Sequence, residues 1–248
     1  ATVSVLLSMA QEKQIQTQRF PRDMRRFAID VAEIPVVFRP NLSISDVRRC
    51  LCVLSGQQFT EEQKTISDRD LFGLLHIGPP SNIILLREGL PTHIVNFVIA
   101  HELGHFLADV YLVQRLWLKA LPEQRAEVAR AFSWQAYDAK LELQALVKGL
   151  PERPHEIMQR GDHEDDATAE REILADLIAR ELIAPWEHVI KRFPNLSRME
   201  FTNEVYRTFE LPRRIAYGYY DDVQHFLAPR QDFIGRLFSP LLRKNPKI

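Results

Sequence analysis

The run His101-Glu102-Leu103-Gly104-His105 sets two imidazoles four residues apart with a carboxylate between them. On a helix, positions i and i+4 share one face, so both rings can reach one metal ion. Glu102 lies about 100° round the same helix, beside the metal rather than on it. There it suits a base that takes a proton from water activated by the metal. With 8 His and 19 Glu in 248 residues, the pattern arises by chance about 0.02 times per chain. Its surroundings sharpen it. Phe97, Val98, Ile99, Ala100, Phe106 and Leu107 are apolar, and a polar side chain buried among them without a partner costs a few kcal/mol. A metal would be that partner. The alternative is a pair of hydrogen-bonded core histidines.

A catalytic zinc ion usually has three protein ligands and one open position. The best third candidate is Glu172 in Glu172-Ile-Leu-Ala-Asp176. Glu172 and Asp176 share one face of an otherwise apolar helix, so Asp176 could accept a hydrogen bond from the free ring nitrogen of a ligand histidine. The rivals are His163, Glu164, Asp165, Asp166 and Glu170. Most of these lie in an acidic stretch that reads more simply as a solvated charge cluster.

The elements that must position these residues follow from periodicity and punctuation. Pro21 starts a helical pattern with Met24, Phe27, Ala28 and Val31 on one side. Ile34 to Phe38, bounded by prolines, reads as a strand or extended edge. Residues 71–87 form two apolar runs around Gly-Pro-Pro-Ser-Asn, a hairpin signal. A long helix with a broad apolar face runs from Pro91 to about Arg115. Another runs from Pro122 to about Lys148, and 149–166 reads as an exposed loop. Residues 167–184 are helical, with Ile173, Leu174, Leu177, Ile178, Leu182 and Ile183 inward, and Pro185 stops them. Gly104 in mid-helix costs about 1 kcal/mol relative to Ala, which points to close approach of another backbone.

The formal net charge of −1 gives no global attraction to nucleic acid or anionic membranes. Residues 186–248 carry 11 Lys or Arg and 7 Asp or Glu, which reads as a solvated face, and no nucleic-acid-binding motif stands out. Cys50 and Cys52 are too few for a disulfide framework or a structural zinc site and read as free thiols in a reducing compartment. No apolar run approaches the roughly 20 residues that span a bilayer. Ala1 to Ala10 lacks the basic start of a signal peptide. A cytoplasmic protein is expected.

Glu172-Ile-Leu-Ala175-Asp176-Leu-Ile-Ala179-Arg-Glu-Leu182-Ile183-Ala-Pro185 resembles the second signature of the ImmA/IrrE metallopeptidases. That signature is an E-x-x-A-[ND]-x-[FL]-A-x-x-L-[LI]-x-P run after a His-Glu-x-x-His helix. Gly73, the hairpin, the run Phe97 to His105 and the later piece Phe209-Glu-Leu-Pro-Arg-Arg-Ile-Ala-Tyr-Gly-Tyr are similar too, so the resemblance covers about residues 65–220. It implies an α+β, predominantly helical, zincin-like metallopeptidase domain of gluzincin type with a small antiparallel sheet. It implies Glu172 as the third ligand, Asp176 as a carboxylate behind a ligand histidine, and Zn2+, or else Mn2+, as the metal. It also implies a protein substrate, often a helix-turn-helix repressor. The expected organisation is an N-terminal helical or extended segment (1–60) packed on the core, the peptidase domain (61–225) and a C-terminal tail (226–248). Sixty-six residues separate His105 from Glu172, more than the family pattern, and the surplus is a helical insertion at about 114–166. That insertion could form a wall of the cleft, a lid or a partner surface, or else be a packing elaboration with no direct role. Tyr111, His155, His163 and Tyr206 are formal candidates to stabilise an oxyanion. The competing reading is a non-catalytic module that binds a regulator. The presence of Glu102 favours the enzyme, because a pure binder has no need of a base.

Overall fold

Leu74-Leu75 and Ile83 to Leu86 show no polar alternation, as expected of strands covered on both faces. In the computed structural model, which describes residues 2–15, 19–54, 70–77, 82–111, 123, 155–157 and 166–227, these runs form the middle of a small sheet. The chain divides into two units, Ala1–Ile183 and Ala184–Ile248. In the first, the order is α1 (Thr2–Glu12), α2 (Met24–Asp30), β1 (Val36–Arg39), α3 (Ile44–Leu54), β2 (Gly73–His76), β3 (Ile83–Arg87), α4 (Thr92–His105), a π-helical turn (Phe106–Tyr111), β4 (His155–Ile157) and α5 (Asp166–Ile183). The class is α+β and mostly helical.

The strand order is β1-β3-β2-β4. β2 and β3 pair antiparallel, Gly73 opposite Leu86 and His76 opposite Ile83, where the hairpin was expected. β4 is antiparallel to β2. β1 lies at an edge but runs parallel to β3, Val36 opposite Ile84. The sheet is therefore mixed, which corrects the expected small antiparallel sheet. The physical reason is the long connection from Arg39 to Ile83. It contains α3 and gives the chain room for the crossover that parallel strands require.

One face of β2 and β3 presents Leu74, Ile83 and Leu85 to Leu42, Val47 and Leu71, with Ile44 and Cys50 at its margin. Cys50 is a half-buried free thiol. Gly73, Leu75, Ile84 and Leu86 alternate onto the opposite face, against α4. Helix α2 begins at Met24 rather than Pro21, because the Asp23 side chain accepts the Arg26 backbone N–H and caps it. Asn96 on α4 accepts the Met24 N–H at 3.2 Å, tying α2 to α4. The buried Arg22 guanidinium donates to the Leu182 carbonyl, a last-turn acceptor of α5 that has no partner within its own helix.

From Asn96 to His105, α4 is buried on every side. It packs on β2 and β3 and runs along α5. Helix α5 turns Ala175, Ala179 and Leu182 inward at helical spacing. Ile173 was expected inward but is 60% exposed. It lies two residues before Ala175, about 200° round the helix and so opposite the packed face.

Gly104 faces the backbone of α5. A Cβ there would stand 2.8 Å from the Ala175 carbonyl oxygen and 2.9 Å from its Cα. Backbone cannot rotate away as a side chain can, so Gly104→Ala must push the two helices apart. Overpacking of this kind typically costs 1–3 kcal/mol, against about 1 kcal/mol of helix propensity regained. Urea unfolding of the metal-free variant should show a net loss of about 1 kcal/mol or more; equal or greater stability would remove the close-approach explanation.

The second unit contains α6 (Trp186–Arg192), α7 (Arg198–Phe209) and α8 (Arg213–Leu227). A capping box between Ser197 and Glu200 starts α7. Phe201, Val205, Phe209, Leu211, Ala216, Tyr219 and Val223 are buried in it, and the Tyr219 hydroxyl donates to the Ala184 carbonyl at 3.2 Å. Among the described residues no helix is long and apolar enough to cross a membrane. The expected helix at 122–148, most of the insertion at 114–166 and the tail beyond Leu227 lie outside the described residues.

Candidate metal centre

Helix α4 delivers His101, Glu102 and His105, and α5 delivers Glu172 and Asp176. The two helices can approach closely because the residues between them are small, Gly104 on one side and Ala175 and Ala179 on the other. His101 and His105 are both about 1% exposed and Glu102 is fully buried, while Glu172 is partly open. Ligand-type atoms of His101, His105 and Glu172 all lie within 4.8 Å of one another, close enough to hold a metal ion.

Hydrogen bonding aims the set. His101 Nδ1 and Asp176 Oδ1 are 2.8 Å apart. An ionised carboxylate only accepts, so Nδ1 carries the proton and donates it, and Nε2 is left with its lone pair. That Nε2 stands 3.0 Å from His105 Nε2 and 3.2 Å from Glu172 Oε2. His105 Nε2 is 3.4 Å from Glu172 Oε1. Electron-rich atoms converging from two helices repel one another unless a proton or a cation lies among them.

The charge balance follows. Burial alone would favour neutral His101, but hydrogen bonds to Asp176 and Glu172 and the charge of Glu102 outweigh it, and its pKa is raised. Burial alone would raise Glu172, but the two imidazoles facing it outweigh burial and hold it at about 2. Glu102 behaves in the opposite way. Its complete burial dominates and pushes its pKa up, with His101 and His105 pulling against that shift. The Leu75 backbone exerts a smaller opposing pull without reaching hydrogen-bonding geometry, and neither carboxylate oxygen has a hydrogen-bond partner.

Both orphaned oxygens therefore sit beside three convergent donor atoms. A bound cation would offset the burial of Glu102 by its charge, and water beside that cation would supply the missing donor. The residues present fit a metal ion. Asp176→Ala removes the acceptor that fixes the His101 tautomer. Metal affinity is expected to fall about 10–100-fold, the usual effect of losing such a partner. Competition with a chromophoric chelator would read it, and wild-type affinity would count against the assignment.

Among the rival ligands, His163, Glu164 and Asp165 lie outside the described residues, and only the backbone of Asp166 is described, at the start of α5. Glu170 is exposed on α5 and does not join the cluster. Of the oxyanion candidates, Tyr111 ends the π-helical turn, Tyr206 belongs to α7 in the second unit, and His155 lies on β4. His163 is outside the described residues. No choice among them follows.

One residue near the candidate metal ligands escaped the sequence reading. Asp109, on the π-helical turn, brings Oδ2 to 3.7 Å from His105 Nδ1. Its only sequence signal is the four-residue spacing from His105, the same spacing that joins the two histidines.

The chain matches no protein-family model, and no curated protein is significantly similar to it.

Proposed function

We propose that the chain is a zinc-dependent endopeptidase of the ImmA/IrrE type that cleaves a peptide bond in a specific regulatory protein. His101, His105 and Glu172 would hold the metal, and Glu102 would be the general base. The observation that carries the reading is the fully buried Glu102, with two unpartnered oxygens beside three converging ligand atoms.

Zinc is favoured by the donor set, two imidazole nitrogens and one carboxylate, which leaves a fourth position open. Ligand atoms on a tetrahedral ion with bonds of about 2.0–2.1 Å stand about 3.3 Å apart. The separations here are 3.0, 3.2 and 3.4 Å. Manganese, which prefers more oxygen ligands, suits this set less well.

When bound, zinc supplies a Lewis acid that acidifies water and polarises a carbonyl. The protein's share falls to its own groups. Glu102 Oε takes the proton as water attacks the scissile carbonyl carbon, then passes it to the departing amine nitrogen. Its high pKa, set by burial, makes it a stronger base than a solvated carboxylate. Asp176 keeps the His101 ring in one tautomer throughout. The regulatory substrate, such as a helix-turn-helix repressor, and a cytoplasmic setting are supported by the likeness of the α5 run to the ImmA/IrrE signature.

The test is to add zinc-loaded protein to a native lysate of the source cells and label new amino termini for mass spectrometry. A small set of cleavages made by wild type and not by Glu102→Gln is expected. No such cleavage would overturn the peptidase reading and favour a module that binds a regulator without cutting it.

A further inference from the structure

Gly73, at the start of β2, is buried and faces α4. A glycine weakens a strand, and inside one it often marks a place where another part of the molecule comes close. Here that part is the face of α4 that carries Glu102. A Cβ on residue 73 would stand 2.3 Å from Val98 Cγ1, 3.1 Å from Leu86 Cδ2 and 3.5 Å from Glu102 Oε1. Val98 and Glu102 are four residues apart on α4, so they share that face. Val98 fills the space where a side chain of residue 73 would lie, with the Glu102 carboxylate next to it.

The crowding has no easy outlet. Packed carbon atoms stand about 3.5–4.0 Å apart, so a methyl group on residue 73 requires a shift of more than about 1 Å. Val98 is 2% exposed, and a valine in a helix has essentially one χ1 rotamer, so it cannot swing aside. Leu86 is fully buried as well. Helix α4 cannot recoil either. Gly104, two residues after Glu102 and so about 200° round the helix, already lies against the Ala175 backbone. Helix α4 is thus gripped on opposite sides by two backbones, with a glycine at each contact. Gly104 sets the spacing to α5, across which the three candidate ligands converge. Gly73 sets the spacing to β2, on which Glu102 rests.

We infer that Gly73 is a positioning residue for Glu102: its missing side chain lets β2 close on Val98 and Glu102 and hold the carboxylate in its buried place beside the candidate ligands. The inference deepens the peptidase reading and rests on it for the role of Glu102 as base. A methyl group at residue 73 moves β2 rather than the ligand atoms, so metal binding and cleavage should separate.

The test compares wild type, Gly73→Ala and Gly73→Ala/Val98→Ala as whole chains. In the double variant the loss of the Val98 methyl groups makes room for the new one. Gly73→Ala should still hold one zinc per chain, while the cleavages that wild type makes in a native lysate slow about 100-fold, the scale of loss for a displacement of about 1 Å at a reacting group. A second readout needs neither metal nor substrate. Carbodiimide with a glycine ester labels accessible carboxyl groups, and peptide mass spectrometry locates the label. Glu102 should stay unlabelled in metal-free wild type and become labelled in Gly73→Ala. In the double variant it should be protected again, with most of the cleavage regained. If Gly73→Ala does not fold, the double variant decides alone: it should fold, hold zinc and protect Glu102. Zinc lost from a folded Gly73→Ala, Glu102 unlabelled there, or no recovery in the double variant would overturn the inference. A wild type that holds no zinc or cleaves nothing would overturn the metal or peptidase reading instead, with the labelling still deciding whether Gly73 seats Glu102.

Discussion

Glu102→Gln should retain its metal and lose cleavage. The amide keeps the size of the carboxylate, so α4 and its packing on β2 should stay as they are, and His101, His105 and Glu172 are untouched. What disappears is the only fully buried carboxylate among the described residues of the site, and with it the proposed acceptor for the water proton. Removing a general base typically costs about 10²–10⁴-fold in kcat, so cleavage should fall at least that far with KM little changed. Elemental analysis should still find one metal per chain. Unchanged cleavage would take Glu102 out of its role. A second consequence concerns stability. The folded pKa of Glu102 is raised by burial, so its contribution to metal-free stability is fully present below the unfolded carboxylate pKa and is lost as pH rises through the folded value. The glutamine variant has no such loss. Its metal-free form should therefore gain stability relative to metal-free wild type as pH rises from about 4 to 7, readable by urea unfolding at the two pH values. The same substitution should thus cost activity and give stability, as expected where a buried charge is kept for chemistry.

Much of this centre was legible because helices write their faces locally. His101 and His105, and likewise Glu172 and Asp176, are pairs at a spacing of four, and each pair sits in an apolar run long enough to define a helix. The cost of Gly104 in mid-helix likewise pointed to a close neighbour, which proved to be the Ala175 backbone. What escaped depends on contacts that no local spacing records. The parallel register of β1 on β3 is set by a crossover between distant segments. The exposure of Ile173 depends on which side of α5 meets α4 rather than on its own hydrophobicity. Asp109 also stands four residues after His105, but a single carboxylate at that spacing is common on helices, and no second signal singled it out.

Metal content provides the other large effect. Wild type should hold about one zinc per chain after dialysis against metal-free buffer, and Glu172→Ala and His105→Ala should each hold little or none. The two variants probe different helices. His105 shares α4 with His101, so its loss leaves one imidazole and one carboxylate. Among the described residues Glu172 is the candidate ligand from α5, so its loss leaves two imidazoles on a single helix and no carboxylate within the cluster to balance the ion. The pair of imidazoles holds Glu172 ionised to about pH 2, so across neutral pH it is ready to ligate without first losing a proton. A ligand that binds only the folded state stabilises it by about 2.7 kcal/mol at a hundred times its Kd. Wild type should therefore unfold at a clearly higher temperature with added zinc, and neither variant should show that shift. If Glu172→Ala keeps its zinc and its shift, the third ligand must come from elsewhere, and the undescribed acidic stretch before α5 becomes the place to look. If wild type binds no zinc at all, the converging atoms of His101, His105 and Glu172 are reconciled by protons rather than by a metal. The raised pKa of His101 is what such a protonated cluster would require.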